Sequence, residues 1–207
     1  KFRNFSYQQA IDLQNEYYEL EQSKDNNKLI LFYEKYNQIW REMIDSVNED
    51  VRSEHLTGYF RRFSPDYVRM RIFSSLTEVL QRAGRYEDAI ELLQYLLGKF
   101  KFINSIKTNS KVLDRPMYRR HRRGKLWNRL ALIQEKYVKT HGPQQCLDTI
   151  YQALQDSSVD LGDRLALCER AKKLYSRKKL QGQLKADWIE NEEEKIMMKI
   201  PLPKEVC

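Results

Sequence analysis

The sequence predicts an all-α protein, an irregular stack of about eight antiparallel helices. Apolar residues recur at spacings of three and four along most of the chain, and no stretch shows the strict alternation of a half-buried strand. Helix-breaking residues are scarce, with 7 Gly and 5 Pro among 207 residues. A hydrophobic fraction of 41% suffices for one sizeable core, or two small lobes, without disulfides or a metal.

Two N-terminal helices are predicted from apolar stripes. The first covers Tyr7–Glu21 and the second covers Lys28–Asp45, with the polar turn SKDNN between them. The two should form a hairpin. The stripes consist of Ala10, Leu13, Tyr17 and Leu20 in the first helix and of Leu29, Phe32, Tyr36, Trp40 and Met43 in the second.

A third helix starts at Ser64-Pro65, because Pro is favoured at the first helical position, and it runs to about Arg82. A fourth helix, Glu87–Phe100, follows at once after Gly84. The pair resembles the tetratricopeptide unit, in which a Gly, an aromatic and a small residue stand where this chain has Gly84, Tyr86 and Ala89. Gly ends one helix, the aromatic fills the corner, and Ala permits close approach. The other hairpins lack this small-residue pattern.

The C-terminal half predicts four more helices. They begin at Arg122, at Gly142-Pro143, at Arg164 and at Trp188. The helix from Arg164 follows a turn at Asp156–Gly162 and ends near Tyr175, and the helix from Trp188 ends near Lys199. We therefore expect N-terminal helical hairpins over 1–100, a basic connection over 101–122 and a C-terminal helical lobe over 123–200. Residues 201–207 should start a linker to a further domain.

The basic charge of the chain is concentrated in one segment. Lys99–Arg129 contains eleven Lys or Arg and a single acid, a net charge of +10, whereas the whole chain carries +8. Cations clustered in a compact fold repel one another, and a polyanion offsets that repulsion by releasing its own counterions on binding. The segment therefore predicts anion binding, with nucleic acid as the first candidate.

From Arg122 onward this segment has a helical pattern, with Leu126, Leu130, Ile133 and Tyr137 on one face. At about 100° per residue, four cations lie within roughly 60° of arc beside that face. These cations, with their basic neighbours in the segment, form the predicted phosphate-binding surface: Arg119, Arg120, Arg122, Arg123, Lys125, Arg129 and Lys136. An ordinary solvated helix face plus a basic loop is the alternative.

A second cationic set flanks the start of the third helix and consists of Arg61, Arg62, Arg69 and Arg71. Arg62, Arg69 and the Ser64-Pro65 helix start could together face a phosphate, because helix N-termini favour anions. They could equally pair with acids elsewhere. Most aromatic residues, Trp127 included, lie on apolar stripes and predict core positions, whereas Tyr118 lies among arginines and could stack on an exposed base.

Several functional classes are disfavoured because the sequence lacks the motifs that they require. The three His have no second ligand at metal spacing, and the acidic run Glu190–Glu194 reads as a solvated helix face. We find no Gly-rich phosphate loop and no Ser elbow. No apolar run is long enough to span a bilayer, and three widely spaced Cys favour a reducing compartment. We expect no catalytic residue and no metal ligand here, in an intracellular piece of a longer protein.

The chain resembles the Fanconi anaemia-associated nuclease family of DNA crosslink-repair enzymes, in the helical region that precedes the nuclease domain. The resemblance covers about Leu56 to Leu174. It rests on three blocks in the family's order: GYFRRFSPDYVRMRIFSSLTEVLQRAGRYEDAIELLQYLL, RRGKLWNRLALIQEKYV and VDLGDRLALCERAKKL.

This resemblance implies a nuclear, structure-specific repair nuclease, a 5′-flap endonuclease and 5′–3′ exonuclease acting in interstrand crosslink repair. Its partners would be branched, flapped or 5′-ended DNA and other repair proteins, with no membrane association. Mg²⁺ or Mn²⁺ would bind in a nuclease domain that this chain lacks. By the same resemblance Lys125 would meet phosphate, with Arg123 and Arg129 beside it.

The sequence departs from the family at two places. The family commonly has two Trp where this chain has Leu126 and Trp127, a packing change. It often has Gly-His-Arg-Leu where this chain has Gly162-Asp163-Arg164-Leu165, and an acid there would repel a phosphate. Two other functions stay open: a tetratricopeptide-like interaction scaffold for an acidic partner, and an RNA-binding helical protein.

Overall fold

The computed structural model describes residues 7–46, 65–97, 123–138, 142–177 and 187–198. Within these ranges the secondary structure is helical, and no strand occurs in them. The all-α prediction is therefore confirmed. The helices are α1 (Tyr7–Ser23), α2 (Asn26–Ser46), α3 (Pro65–Arg82), α4 (Tyr86–Leu96), α5 (Arg123–Tyr137), α6 (Gly142–Gln155), α7 (Leu161–Tyr175) and α8 (Trp188–Met197).

The chain divides into two compact units, Lys1–Arg119 and Arg120–Cys207. In the first unit α3 packs against α1, α2 and α4, and α1 also packs against α2. In the second unit α5 packs against α6 and α7, α6 against α7, and α7 against α8. The predicted basic connection lies outside the described residues, so the predicted domain boundaries stay a prediction. None of the described helices is long and apolar enough to cross a membrane.

The α1–α2 hairpin is closed by a tight polar turn. Lys24 has a positive φ of 54°, and the Asp25 carboxylate accepts hydrogen bonds from the backbone N–H groups of Asn27 (2.9 Å) and Lys28 (3.4 Å). These bonds satisfy donors that the start of a helix leaves unpaired, which explains why α2 begins two residues earlier than predicted. Among the described side chains of this hairpin, the buried ones are Ala10, Leu13, Tyr17, Leu29, Phe32 and Tyr33. Leu20 and Tyr36 of the predicted stripes are partly exposed, and the side chains of Trp40 and Met43 lie outside the described set.

The α3–α4 turn has the predicted tetratricopeptide-like geometry. Gly84 adopts a φ of +76°, in the left-handed region, and the backbone N–H of Arg85 bonds to the Leu80 carbonyl at 2.9 Å. Ala89 is fully buried, as close approach of the two helices requires. The predicted α3 stripe is confirmed, because all five of its residues are buried: Val68, Ile72, Leu76, Val79 and Leu80.

The core of the second unit lies between α5, α6 and α7. Apolar residues of all three helices are 0–8% exposed: Leu126, Leu130, Ile133, Cys146, Ile150, Ala153, Leu154, Leu167, Ala171 and Leu174. Tyr137 follows the same face of α5 at the last residue of the helix, but it is 39% exposed and does not belong to the buried core. At Gly142 a Cβ would lie 2.5 Å from the Gln134 carbonyl oxygen, so α6 can start this close to α5 only with glycine.

The start of α7 corrects the predicted turn. The sequence placed a turn over Asp156–Gly162, but α7 already begins at Leu161, with Asp160 as its N-cap. The Asp160 carboxylate accepts a hydrogen bond from the backbone N–H of Asp163 at 2.9 Å. This bond pairs a donor at the helix start, and Gly162 and Asp163 are therefore the second and third residues of α7.

Candidate nucleic-acid interface

The structure describes the side chains of only some of the predicted phosphate-binding residues. Arg123, Lys125, Arg129 and Lys136 all lie on α5. Arg69 lies on α3, but its side chain is outside the described set. The remaining predicted residues, and Tyr118, also lie outside the described residues: Arg61, Arg62, Arg119, Arg120 and Arg122.

Lys125, Arg129 and Lys136 form one edge of α5, which we call the cationic face. They lie within about 40° of arc at 100° per residue, and about 16 Å separates the first from the last at the helical rise. Lys125 and Lys136 are exposed and Arg129 is partly buried. The buried side of α5 is the one that carries Leu126, Leu130 and Ile133, so packing in the core keeps the cationic face outside.

Arg123 points into the protein instead. Its Nε donates to Oδ2 of Asp156 at 2.6 Å, and only 15% of the Arg123 side chain and 8% of the Asp156 side chain are exposed. The same carboxylate oxygen accepts from the Trp127 indole N–H at 2.9 Å. Burial alone would raise the pKa of Asp156, but the Trp127 hydrogen bond and the Arg123 charge hold it below its ordinary value.

The loop after α6 is built around this carboxylate. Oδ1 of Asp156 accepts from the backbone N–H of Ser158 at 3.0 Å. The Arg164 guanidinium donates to two backbone carbonyls of the loop, that of Asp156 at 2.7 Å and that of Val159 at 2.9 Å. Asp156 thus connects the loop to the first turn of α5, and Arg164 connects the loop to α7. Through these bonds the first turn of α5, which carries Lys125, is held near the start of α7.

Gly124 and Asp163 bring α5 and α7 together beside Lys125. A Cβ on buried Gly124 would fall well inside van der Waals contact with the Asp163 side chain. Burial and the charge of Asp160 raise the pKa of Asp163, and the charge of Lys125 opposes them. The sequence departure noted at Asp163 therefore lies next to the residue that the family resemblance assigns to phosphate.

A second buried carboxylate ties the far end of α5 to α7. The Glu135 side chain is 7% exposed and pairs with Arg170 at 3.1 Å and Arg177 at 2.6 Å. Arg170 also donates from Nε to Oδ1 of Asn128 at 2.9 Å. Sequence reasoning missed this cluster and the Asp156 cluster. The available signal for Asp156 was Trp127, because a buried indole N–H needs an acceptor.

Metal-ligating side chains do not cluster in the part of the chain that the structure describes, where no group of three His, Cys, Asp or Glu could hold an ion. The acidic run on α8 is engaged with lysines: Glu193 pairs with Lys172, and Glu192 pairs with Lys195 at 2.7 Å. The Glu192 and Glu193 side chains are 12% and 30% exposed, so this part of the run is less solvated than predicted. All three His lie outside the described residues.

The hairpin turn at Gly84, the stacked helices and the cationic face define a helical module of tetratricopeptide type. A family model described as Fanconi-associated nuclease 1, TPR domain, matches residues 4–175. The chain therefore belongs to the Fanconi-associated nuclease 1 family and corresponds to its tetratricopeptide region, which confirms the resemblance seen in the sequence.

Relatives named Fanconi-associated nuclease 1 support the same membership. The protein of Danio rerio is 32% identical over 135 residues, which are 65% of this chain and 12% of the relative. The Homo sapiens protein is 31% identical over 121 residues, which are 58% of this chain and 10% of the relative. The matched part is thus about a tenth of the length of these curated relatives.

Proposed function

We propose that the chain is the DNA-holding helical region of a structure-specific, metal-dependent repair nuclease, a 5′-flap endonuclease and 5′–3′ exonuclease of nuclear crosslink repair. Its ligand is branched, flapped or 5′-ended DNA, and other repair proteins are possible partners. Mg²⁺ or Mn²⁺ would bind in a separate nuclease domain. Membership of the Fanconi-associated nuclease 1 family supports the class of protein.

The observation that carries the DNA contact is the alignment of Lys125, Arg129 and Lys136 on one edge of a helix whose other side is buried. Packing of the other side of α5 against α6 and α7 holds these three positions along one outward edge. A DNA backbone supplies a row of phosphates, and its bound counterions are released when cations replace them. The cationic face is therefore suited to lie along phosphates.

Replacing the three cations together by Gln (Lys125→Gln, Arg129→Gln, Lys136→Gln) tests this proposal. Each neutralised phosphate contributes about −0.9 to the slope of log K against log salt. We therefore expect the triple variant to bind a flapped duplex more weakly, with a slope shallower by roughly 2 to 3 units. Fluorescence anisotropy over a series of KCl concentrations measures both quantities, and circular dichroism checks that the variant remains folded.

A matched control removes the same charge elsewhere. Lys24, Lys28 and Arg82 are exposed in the first unit, and Gln at all three gives the same loss of net charge. The control variant should keep most of the parent's salt slope. If the two triple variants weaken binding equally, net charge alone explains the affinity, and if the α5 variant binds like the parent, the cationic face is a solvated surface.

A scaffold for an acidic peptide is the second candidate, and the tetratricopeptide-like turn at Gly84 favours it. The two functions differ in how they respond to DNA shape. A DNA-holding module should bind a duplex with a flap more tightly than a blunt duplex of equal length, whereas a peptide scaffold should bind both alike. Competition between flapped DNA and an acidic peptide for the chain measures which ligand is preferred, and a matching RNA duplex tests the RNA-binding alternative.

A further inference from the structure

The start of α7 places a carboxylate against the cationic face. Asp163 is the third residue of α7, and its backbone N–H is fixed by the Asp160 carboxylate at 2.9 Å. Its side chain lies so close to Gly124 that α5 has no room for a Cβ there. The start of α7 thus holds the Asp163 side chain against the backbone of α5 at Gly124.

Charges of both signs act on Asp163 in the part of the chain that the structure describes. Asp160 adds a second negative charge, and the charge of Lys125 acts in the opposite sense. Arg164, the next residue, is engaged with the backbone carbonyls of Asp156 and Val159. Lys125 directly follows Gly124, which lies against the Asp163 side chain, so the two charges are on adjoining parts of α5 and α7. Burial and Asp160 raise the pKa of Asp163, and the charge of Lys125 opposes them.

We propose that Asp163 limits the affinity of this site for phosphate by offsetting the charge of Lys125, so that Arg129 and Lys136 carry most of the DNA contact. This inference rests on the proposed function of the cationic face. A phosphate approaching Lys125 meets repulsion from Asp163 and must also compete with that carboxylate for the ammonium group. Arg129 and Lys136 stand one and three turns further along α5, where this repulsion is weaker and is screened by salt.

The test is a double-mutant cycle on the complete chain with a fluorescein-labelled flapped duplex. The variants are Asp163→Asn, Lys125→Gln and the two combined. Asn has nearly the shape of Asp, so the contact with Gly124 is kept while the charge is removed. We expect Asp163→Asn to bind about two- to fivefold more tightly than the parent, the range typical of one exposed ion pair. The salt slope should become steeper by up to about 0.9.

The interaction between the two residues distinguishes this role from a structural one. If Asp163 acts through Lys125, Asp163→Asn has little effect when Lys125 is already Gln, and Lys125→Gln costs more affinity in the Asn background than in the parent. Asp163→Glu, which keeps the charge, should bind no more tightly than the parent. The raised pKa of Asp163 means that its negative charge disfavours the folded state at neutral pH, so Asp163→Asn should keep or slightly raise the Tm while it raises the affinity.

Three results would overturn the inference: unchanged affinity in Asp163→Asn, an equal gain with and without Lys125, or a loss of affinity that follows a loss of Tm. Each of these leaves the proposed function standing if the triple Gln variant of the cationic face still loses binding. If the triple variant binds like the parent, the proposed function fails first and the role of Asp163 fails with it.

Discussion

Arg123 belongs to the basic segment by sequence, yet its guanidinium is bound inside the protein by Asp156. Arg123 was predicted to meet phosphate, but its Nε pairs with an acid whose side chain is only 8% exposed. Its role in phosphate contact stays a prediction, and the ion pair argues against that role. Its neighbour Trp127 was predicted in the core and is 4% exposed, and it donates to the same carboxylate.

Arg123→Gln should therefore change mainly the stability of the fold, whereas Lys136→Gln should change mainly the salt dependence of DNA binding. Arg123→Gln leaves the Asp156 carboxylate without its charged partner, and we expect a loss of about 1–3 kcal/mol in the free energy of unfolding with little change in salt slope. Lys136→Gln should make the slope shallower by about 0.9 with an unchanged Tm. Thermal denaturation and a salt series of DNA titrations measure the two effects. A shallower slope in Arg123→Gln would return that residue to the DNA-contacting set.

Asp156 also predicts a pH dependence. Its pKa is lowered in the folded protein, so the carboxylate stabilises the fold above its ordinary pKa of about 3.9 and this contribution is lost as the pH falls through the lowered value. Asp156→Asn should consequently cost most at pH 7 and progressively less below about pH 4. Urea unfolding of both proteins at pH 7, 4 and 3 measures the difference. An equal cost at all three values would mean that the charge of Asp156 contributes nothing.

At the scale of helices and turns, Gly84 and Gly162 form a natural pair for comparison. Gly84 has a φ of +76° with no atom within 4 Å of a built Cβ, so Ala there meets backbone strain and no clash. We expect Gly84→Ala to cost about 1–2 kcal/mol of stability. Gly162 lies in the first turn of α7, where a Cβ would make only an ordinary 3.7 Å contact.

The control variant Gly162→Ala should be neutral or should stabilise the protein by up to about 1 kcal/mol, because Ala is the better helix former. Chemical denaturation of both variants measures the contrast. If Gly84→Ala is as harmless as Gly162→Ala, the left-handed turn between α3 and α4 is not required by the fold.

The described helices could be predicted from the sequence because the information is local. The apolar stripe of α3 and the Gly84 turn depend on residues within about one or two turns of one another. The clusters at Asp156 and Glu135 could not be predicted in this way. Asp156 meets Arg123 across 33 positions and Glu135 meets Arg170 across 35, and such pairs form only when helices pack at a particular distance and rotation. From the sequence alone, Gly124 is only a poor helix former. The need for glycine there becomes visible only when α7 packs against α5 and brings Asp163 next to it.

At the scale of the whole molecule, the two compact units differ in how their charges are arranged. The charged contacts of the first unit lie mostly near its surface, as in Lys35–Glu16 and Arg85–Glu34. The second unit holds two nearly buried carboxylates with their arginines, at Asp156 and at Glu135. Removing Arg170 would leave the buried Glu135 charge partly unpaired, whereas removing Lys35 affects an exposed pair that contributes little.

The buried thiols of α6 and α7 can be used to detect transient local opening of the second unit. Cys146 and Cys168 are 0% and 1% exposed, and burial raises their pKa to about 12 and about 11. Only the thiolate reacts with alkylating reagents, so neither thiol should react with iodoacetamide while the helices stay packed. In a Cys207→Ser variant, the rate at which these two residues are modified would report how often each helix opens transiently. Urea should increase this rate of modification. Mass spectrometry resolves the two sites, and immediate modification of either in the native protein would contradict its burial.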